Sequence, residues 1–269
     1  MGFKLIALDI DGTLVDDHKK IMPETKALLK KLRQQGIYIV LCTGRPLIGV
    51  ANYLADLALT SNDDYVITYN GAKAQNVGTK EDVVTNLLTQ KQYLRLLKWT
   101  QQVQVKSQIV TPSSHVYTTQ ADISPYTVLD AFYTKMPLHY RTMEDLTFPT
   151  AAKFMLVDEP AVLDQAVAKL DPALQQEFYT VRSEDWFFEF MHPHAHKGQA
   201  VLDLAMHLGI SPDEIIAFGD QNNDLTMLEM VGLGVAMGNA NPNLKKVANQ
   251  VTLDNNHEGI AVCLRKIFA

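Results

Sequence analysis

Asp9 and Asp11 follow the apolar run Leu5-Ile6-Ala7-Leu8, and Asp220 follows a second run, Ile215-Ile216-Ala217-Phe218-Gly219. Asp224 comes four positions after Asp220, at the expected start of a helix. Short apolar runs of this kind read as strands buried on both faces of a parallel sheet. In such a sheet all carboxyl ends lie on one edge, where ligands bind. Two aspartates from opposite ends of the chain are thus expected on one rim. In extended chain Asp9 and Asp11 would point to the same side, which makes a cluster of four carboxylates. Each alone reads equally well as a helix cap or turn residue. Four together are harder to assign to capping, because two like charges at about 4 Å repel by about 4 kcal/mol at an effective dielectric near 20. Such a cluster calls for a divalent cation, and hard oxygen ligands with room for phosphate favour Mg²⁺.

Three further groups could complete an anion site. Thr43-Gly44 ends another apolar run and precedes an expected helix N-terminus, where backbone N–H groups favour a phosphate. Lys197 stands near the start of its helix, the end where a cation is mildly unfavourable, which points to a role other than helix stability. Asn223 could donate to a phosphate oxygen or simply cap the helix beside Asp224.

These residues need a scaffold, and the flanking pattern supplies one. Strands are expected at Phe3 to Ile10, Ile37 to Cys42 and Tyr65 to Tyr69, the last closed by the turn pair Asn70-Gly71. Between them, one helix runs from Pro23 to a stop at Gly36, with Leu28, Leu29 and Leu32 on one side. A second opens at Pro46, its stripe being Val50, Tyr53, Leu54 and Leu57. The alternation resumes late in the chain. A helix covers Lys197 to His207, a strand Ile215 to Phe218, a helix Leu225 to Met230, a strand Gly234 to Met237 and a last helix Ile260 to Phe268. Alternating strands and helices imply an α/β fold, a doubly wound, mostly parallel sheet of Rossmann-like type. The middle reads differently. Ser107 to Thr111 and His115 to Thr119 flank Pro112-Ser113-Ser114 as in a hairpin. Lys153 to Asp158, Phe178 to Arg182 and Trp186 to Met191 are strand-like, with a helix over Ala161 to Leu170. The expected organisation is a core of residues 1–82 and 194–269 interrupted by an α+β insertion at 83–193.

Composition bounds the partners. The 269 residues are 47% hydrophobic and 20% charged, an ordinary globular balance, and the formal charge is −6. A net acidic chain is a poor ligand for nucleic acid or anionic membrane, so an anionic small molecule must be held locally. No apolar stretch reaches transmembrane length, and the apolar run after Met1 stops at Asp9. Cys42 and Cys263, in apolar surroundings, read as buried thiols of a reducing compartment. A cytoplasmic protein is expected. His192, His194 and His196 surround Pro193, which breaks any helical register, so a solvent-facing linker is favoured over a second metal site.

Asp9-Ile10-Asp11-Gly12-Thr13-Leu14, Thr43-Gly44-Arg45-Pro46, Lys197-Gly198 and Gly219-Asp220-Gln221-Asn222-Asn223-Asp224 resemble, in order and spacing, the four motifs of the haloacid dehalogenase superfamily. The inserted segment resembles the C2 cap of its Cof-type subgroup, which includes sugar phosphatases. Ile67-Thr68-Tyr69-Asn70-Gly71-Ala72, Asp158-Glu159-Pro160 and Gly234-Val235-Ala236-Met237 extend the resemblance over nearly the whole chain. It implies Asp9 as nucleophile and Asp11 as general acid and base. It implies Mg²⁺ held by the carboxylates of Asp9 and Asp220 and the backbone carbonyl of Asp11. Phosphate contacts would come from Thr43, Gly44, Lys197, Asn223 and the backbone at Ile10, with Asp224 orienting Lys197 or a metal-bound water. The run before Lys197 departs from the family, which often has Ser or Asn there.

The implied activity is hydrolysis of small phosphate monoesters, sugar phosphates above all, with the cap as a hinged lid that reads the organic part. The cap residues Tyr117, Tyr126 and Trp186, with Glu189, offer the aromatic and polar mixture that suits a small polyol. A phosphotransferase or phosphomutase on the same fold would use a sugar hydroxyl in place of water. A receiver-like signalling module would keep its aspartyl phosphate, but it would avoid an acid and base such as Asp11 beside the nucleophile and would need no cap.

Overall fold

The computed structural model describes residues 2–268. The chain divides into two compact units, the first made of the stretches up to Gly44, Val50–Thr85 and from His196 onward, the second of Arg45–Gly49 and Asn86–Ala195.

The first unit is built on an eight-stranded sheet. Its order is Gln250–Val251, Leu233–Ala236, Ile215–Gly219, Leu5–Leu8, Tyr38–Cys42, Tyr65–Thr68, Lys73–Asn76 and Asp82–Thr85. The first six pair in parallel and the last two add antiparallel edges. The central strands Leu5–Leu8 and Ile215–Gly219 are buried at every position, as their unbroken apolar runs require. Helix Pro23–Gln34 begins with proline, whose missing N–H costs nothing at that position, and buries Leu29 and Leu32. It stops where Gly36 takes φ +88°. The doubly wound α/β class expected from the alternation is the observed one.

One element differs from expectation. No α-helix opens at Pro46. Residues Leu47–Gly49 form a 3₁₀ turn and the α-helix covers only Ala51–Asp56. Gly49 inside the expected first turns weakens helix propagation there, and the N-cap residue Val50 offers no side-chain acceptor. Thr43-Gly44 is therefore not set directly against a helix N-terminus.

The second unit holds a six-stranded sheet in the order Tyr179–Glu184, Phe187–Met191, Lys153–Val157, Ser107–Val110, Val116–Thr118, Leu138–Tyr140. All neighbours are antiparallel except the last pair. One face packs on helices Gln90–Val103 and Pro160–Val167, joining Ile109, Phe154, Leu156 and Phe190 to Tyr93, Leu96, Leu97, Trp99 and Leu163. Tyr117 packs against that core, its ring centroid 4.9 Å from Phe148. Tyr126 stacks on Trp186 at 5.4 Å and donates to Glu159 Oε2 at 3.0 Å. Among the described residues no helix is long and apolar enough to cross a membrane.

Candidate active site

Three neighbouring parallel strands of the first unit end beside one another, Ile215–Gly219, Leu5–Leu8 and Tyr38–Cys42. Their next residues are Asp220, Asp9 and Thr43. The Asp9 N–H still donates to the Phe218 carbonyl at 3.1 Å, so the sheet ladder fixes its backbone. Asp9, Asp220 and Asp224 each bring one carboxylate oxygen to within 4.8 Å of the others, and all three residues are buried. Lys197, wholly buried, bridges two of them. Its Nζ lies 2.5 Å from Asp9 Oδ1 and 2.6 Å from Asp224 Oδ1.

The surroundings orient each group. Asp224 Oδ2 accepts from the backbone N–H groups of Asp220 and Gln221, which leaves Oδ1 for the lysine. Asp220 accepts from Thr13 Oγ1 at 2.9 Å and from Gln221 Nε2 at 3.0 Å. Lys197 opens helix Lys197–His207, and the imidazole of its N-cap residue His196 accepts from the Gln199 N–H. That assigns His196 a capping role within the histidine run, while His192 Nδ1 accepts from the His194 N–H. Among the described residues the three aspartates form the one group of three or more metal-ligating side chains.

Asp11 stands apart from this trio. The strand ends at Leu8, the chain turns so that the N–H groups of Thr13, Leu14 and Val15 approach the Ile10 carbonyl, and Gly12 takes φ +78°. The Asp11 carboxylate, 39% exposed, receives Lys19 Nζ at 2.8 Å. Gly12 is required twice over: its φ favours glycine, and a Cβ there would lie 2.4 Å from Asp220 Oδ2.

Burial sets the charge balance. It pushes Asp9 up to about 8, with Lys197 pulling down and Asp224 and Asp220 adding to the rise. Burial and Asp224 raise Asp220 to about 6 against the hydrogen bonds from Thr13 and Gln221. Burial alone would lower Lys197, but the Asp224 and Asp9 carboxylates hold it above its ordinary value. Three buried carboxylates against one ammonium leave the site short of positive charge. An all-oxygen donor set of this kind fits a hard divalent cation.

Thr43, Gly44 and Asn223 meet at Asn70, whose sequence signal is only that of a turn. Asn70, buried and at φ 55°, donates its backbone N–H to the Thr43 carbonyl at 2.9 Å and accepts from Asn223 Nδ2 at 3.0 Å. A Cβ on Gly44 would approach its Oδ1 to 3.0 Å. Thr13 and Gln221, which hold Asp220, lie inside the first and last motifs, where their residue types alone signal no such role. Ile10 is fully buried, and its carbonyl accepts within the turn after Asp9.

The family model of haloacid dehalogenase-like hydrolases matches residues 6–264. YxeH of Bacillus subtilis, provisionally named a phosphatase, is 39% identical over 98% of both chains. The 5-amino-6-(5-phospho-D-ribitylamino)uracil phosphatase YitU of the same organism is 27% identical over 98% of this chain and 97% of its own. A crystal structure of a haloacid dehalogenase-like hydrolase from Bacteroides thetaiotaomicron superposes with a TM-score of 0.86 at 31% identity, covering 99% of this chain and 100% of that one. A match across nearly the whole chain, over a rim of buried aspartates bridged by one lysine, places this protein among the haloacid dehalogenase-like hydrolases, as one of the family's phosphatases.

Proposed function

We propose that the protein hydrolyses small phosphate monoesters, sugar and polyol phosphates in particular, through an aspartyl phosphate on Asp9 with Mg²⁺ as cofactor. The observation that carries this reading is Lys197 bridging Asp9 and Asp224 inside a three-carboxylate cluster at the carboxyl edge of the sheet. Asp9 and Asp220, with the Asp11 carbonyl, would hold the Mg²⁺, which when bound supplies positive charge against a phosphate dianion.

The side chains divide the remaining work. An Asp9 oxygen attacks phosphorus, forming the acyl phosphate as the ester P–O bond breaks. Asp11 donates its proton to the leaving oxygen and then takes one from the water that attacks the same phosphorus. Inorganic phosphate leaves and the Asp9 carboxylate is restored. The partial exposure of Asp11 suits a group that must exchange protons in each half-reaction. Thr43, Gly44, Asn223, Lys197 and the backbone at Ile10 hold the phosphoryl oxygens, and Asp224 positions Lys197. The second unit, taken as the substrate-selecting cap, reads the organic part. YitU acts on a compound with a phosphorylated ribityl chain, which supports a polyol phosphate as the substrate class. The acidic balance of the chain argues for a small-molecule partner and against nucleic acid, and two buried free cysteines suit a cytoplasmic setting.

Phosphate release from sugar phosphates, polyol phosphates, nucleotides and pyridoxal phosphate, with Mg²⁺ and with excess EDTA, tests the reading. Metal-dependent turnover with preference for sugar or polyol phosphates is expected. Undiminished turnover in EDTA contradicts the cofactor, and a uniform preference for nucleotides contradicts the substrate class.

A further inference from the structure

Asp11 rides on the connection between strand Leu5–Leu8 and helix Pro23–Gln34. Within it Val15 bridges antiparallel to Ile21, so the segment doubles back as a short hairpin, and Lys19 returns from its far end to the Asp11 carboxylate. A two-stranded hairpin is marginal in water by itself. Outside support is needed if Asp11 is to keep one position relative to Asp9.

That support comes from the far end of the chain. The loops after strands Leu233–Ala236 and Gln250–Val251 are joined by the Gly238 N–H, which donates to the Leu253 carbonyl at 3.1 Å. From the first loop, Asn239 Nδ2 donates to the Gly12 carbonyl at 2.8 Å, and Asn239 Oδ1 accepts from the Asn255 N–H at 3.2 Å. From the second, Asn255 Nδ2 donates to the Val15 carbonyl at 3.0 Å and to Asp17 Oδ1 at 3.3 Å. The carbonyls at both ends of the turn after Asp11 are therefore gripped by one linked pair of side chains.

Both positions demand an amide. Asn239 must donate to one group and accept from another, and Asn255, 6% exposed, must set two N–H bonds against two acceptors. Helix capping, a common role of asparagine in loops, falls to their neighbours. Asn241 Oδ1 caps helix Pro242–Val247, and the Glu258 carboxylate accepts from the Glu24 and Thr25 N–H groups at the start of helix Pro23–Gln34.

We infer that Asn239 and Asn255 are positioning residues for Asp11, a bracket that acts through the backbone of Gly12 and Val15; the inference rests on the acid and base role proposed above for Asp11. That role matters most when the leaving oxygen is basic. A nitrophenolate departs without a proton, whereas an alkoxide requires one. A loosened bracket is thus read through the leaving group, a signature that a general loss of stability does not produce.

The test compares ribitol 5-phosphate with p-nitrophenyl phosphate, using the full chain with Mg²⁺. Asn239→Ala, at an exposed position, should lower kcat/KM about thirtyfold for the alkyl ester and no more than about threefold for the aryl ester. Asn239→Asp, which keeps the acceptor and loses the donor, should show the same split. Hydrogen exchange of substrate-free Asn239→Ala should quicken about fivefold in residues 11–21 and stay unchanged in residues 215–219. Asp11→Asn is the control and should show the split more strongly. If it does, while the Asn239 variants slow both esters equally or neither, the bracket is overturned. Exchange at the wild-type rate in residues 11–21 overturns it as well. Asp11→Asn without the split overturns instead the role of Asp11, and with it the catalytic meaning of the bracket.

Discussion

Replacing Lys197 by Met leaves Asp224, wholly enclosed, facing Asp9 with no counter-ion. At 2.6 Å the gross attraction between Lys197 and Asp224 is about 6 kcal/mol for an effective dielectric near 20. Part of this is returned as the lysine no longer needs to be desolvated, and removing one partner of a buried pair typically costs about 3–5 kcal/mol. The stranded pair can limit that cost when Asp9, which burial already raises, takes a proton. Relative to an unfolded-state pKa of about 3.9, protonation costs about 1.4 kcal/mol per pH unit, or about 2 kcal/mol near pH 5.5 and above 5 kcal/mol near pH 8. The metal-free variant should therefore lose about 3–5 kcal/mol near pH 8 and only about 2 kcal/mol near pH 5.5. Urea denaturation of wild type and variant in EDTA at the two pH values reads this directly, and Mg²⁺ should restore part of the loss. A deficit below about 1 kcal/mol near pH 8, or one identical at both pH values, refutes the reasoning that Lys197 neutralises the carboxylates.

Gly12→Ala should lower stability by about 1–2 kcal/mol through its left-handed φ and reduce kcat by about a hundredfold, because the new methyl displaces Asp220; thermal melts and steady-state assays check both. Asp64, buried, accepts from Arg33 Nε at 2.8 Å and Nη2 at 2.7 Å and from Ser61. Burial opposes its charge, but these donors together hold it below the ordinary aspartate value. Asp64→Asn should cost about 2 kcal/mol at neutral pH. Since a depressed folded-state pKa contributes its full stabilisation above the ordinary value and loses it below, the wild-type advantage should fade as pH falls through the Asp64 pKa, and acid-dependent urea curves of the two proteins should converge.

The central strands were legible because residues such as Leu5–Leu8 and Ile215–Gly219 bury both faces and tolerate no polar break. Lys73–Asn76 carried no such signal. Its Gln75 and Asn76 are buried, but they are satisfied by the Lys80 and Asn62 carbonyls and by Asp82, so polarity concealed a strand. Helix Pro125–Thr134 eluded the periodicity for the opposite reason, since Val128, Phe132 and Tyr133 face outward. In the site, the strand ends told which aspartates share an edge. They could not tell that the Asp11 carboxylate would pair with Lys19, nor that a turn-forming Asn70 would link Thr43 to Asn223. The Asn70 link depends on a residue adopting positive φ, a choice that hydrophobic patterning does not encode. The lysine bridge depends on packing residue 197 against residues 9 and 224, which only the folded chain brings together.

The most direct test of the central claim is to locate the phosphoryl group. Asp11→Asn should form the acyl phosphate and release it slowly, so acid quenching during turnover, followed by peptide mass spectrometry, traps the intermediate. One hydroxylamine-labile phosphoryl group on Asp9, absent when Asp9 is also replaced by Asn, is the predicted result. Turnover with Asp9 unmodified, or the phosphoryl group on any other residue, would contradict Asp9 as the nucleophile.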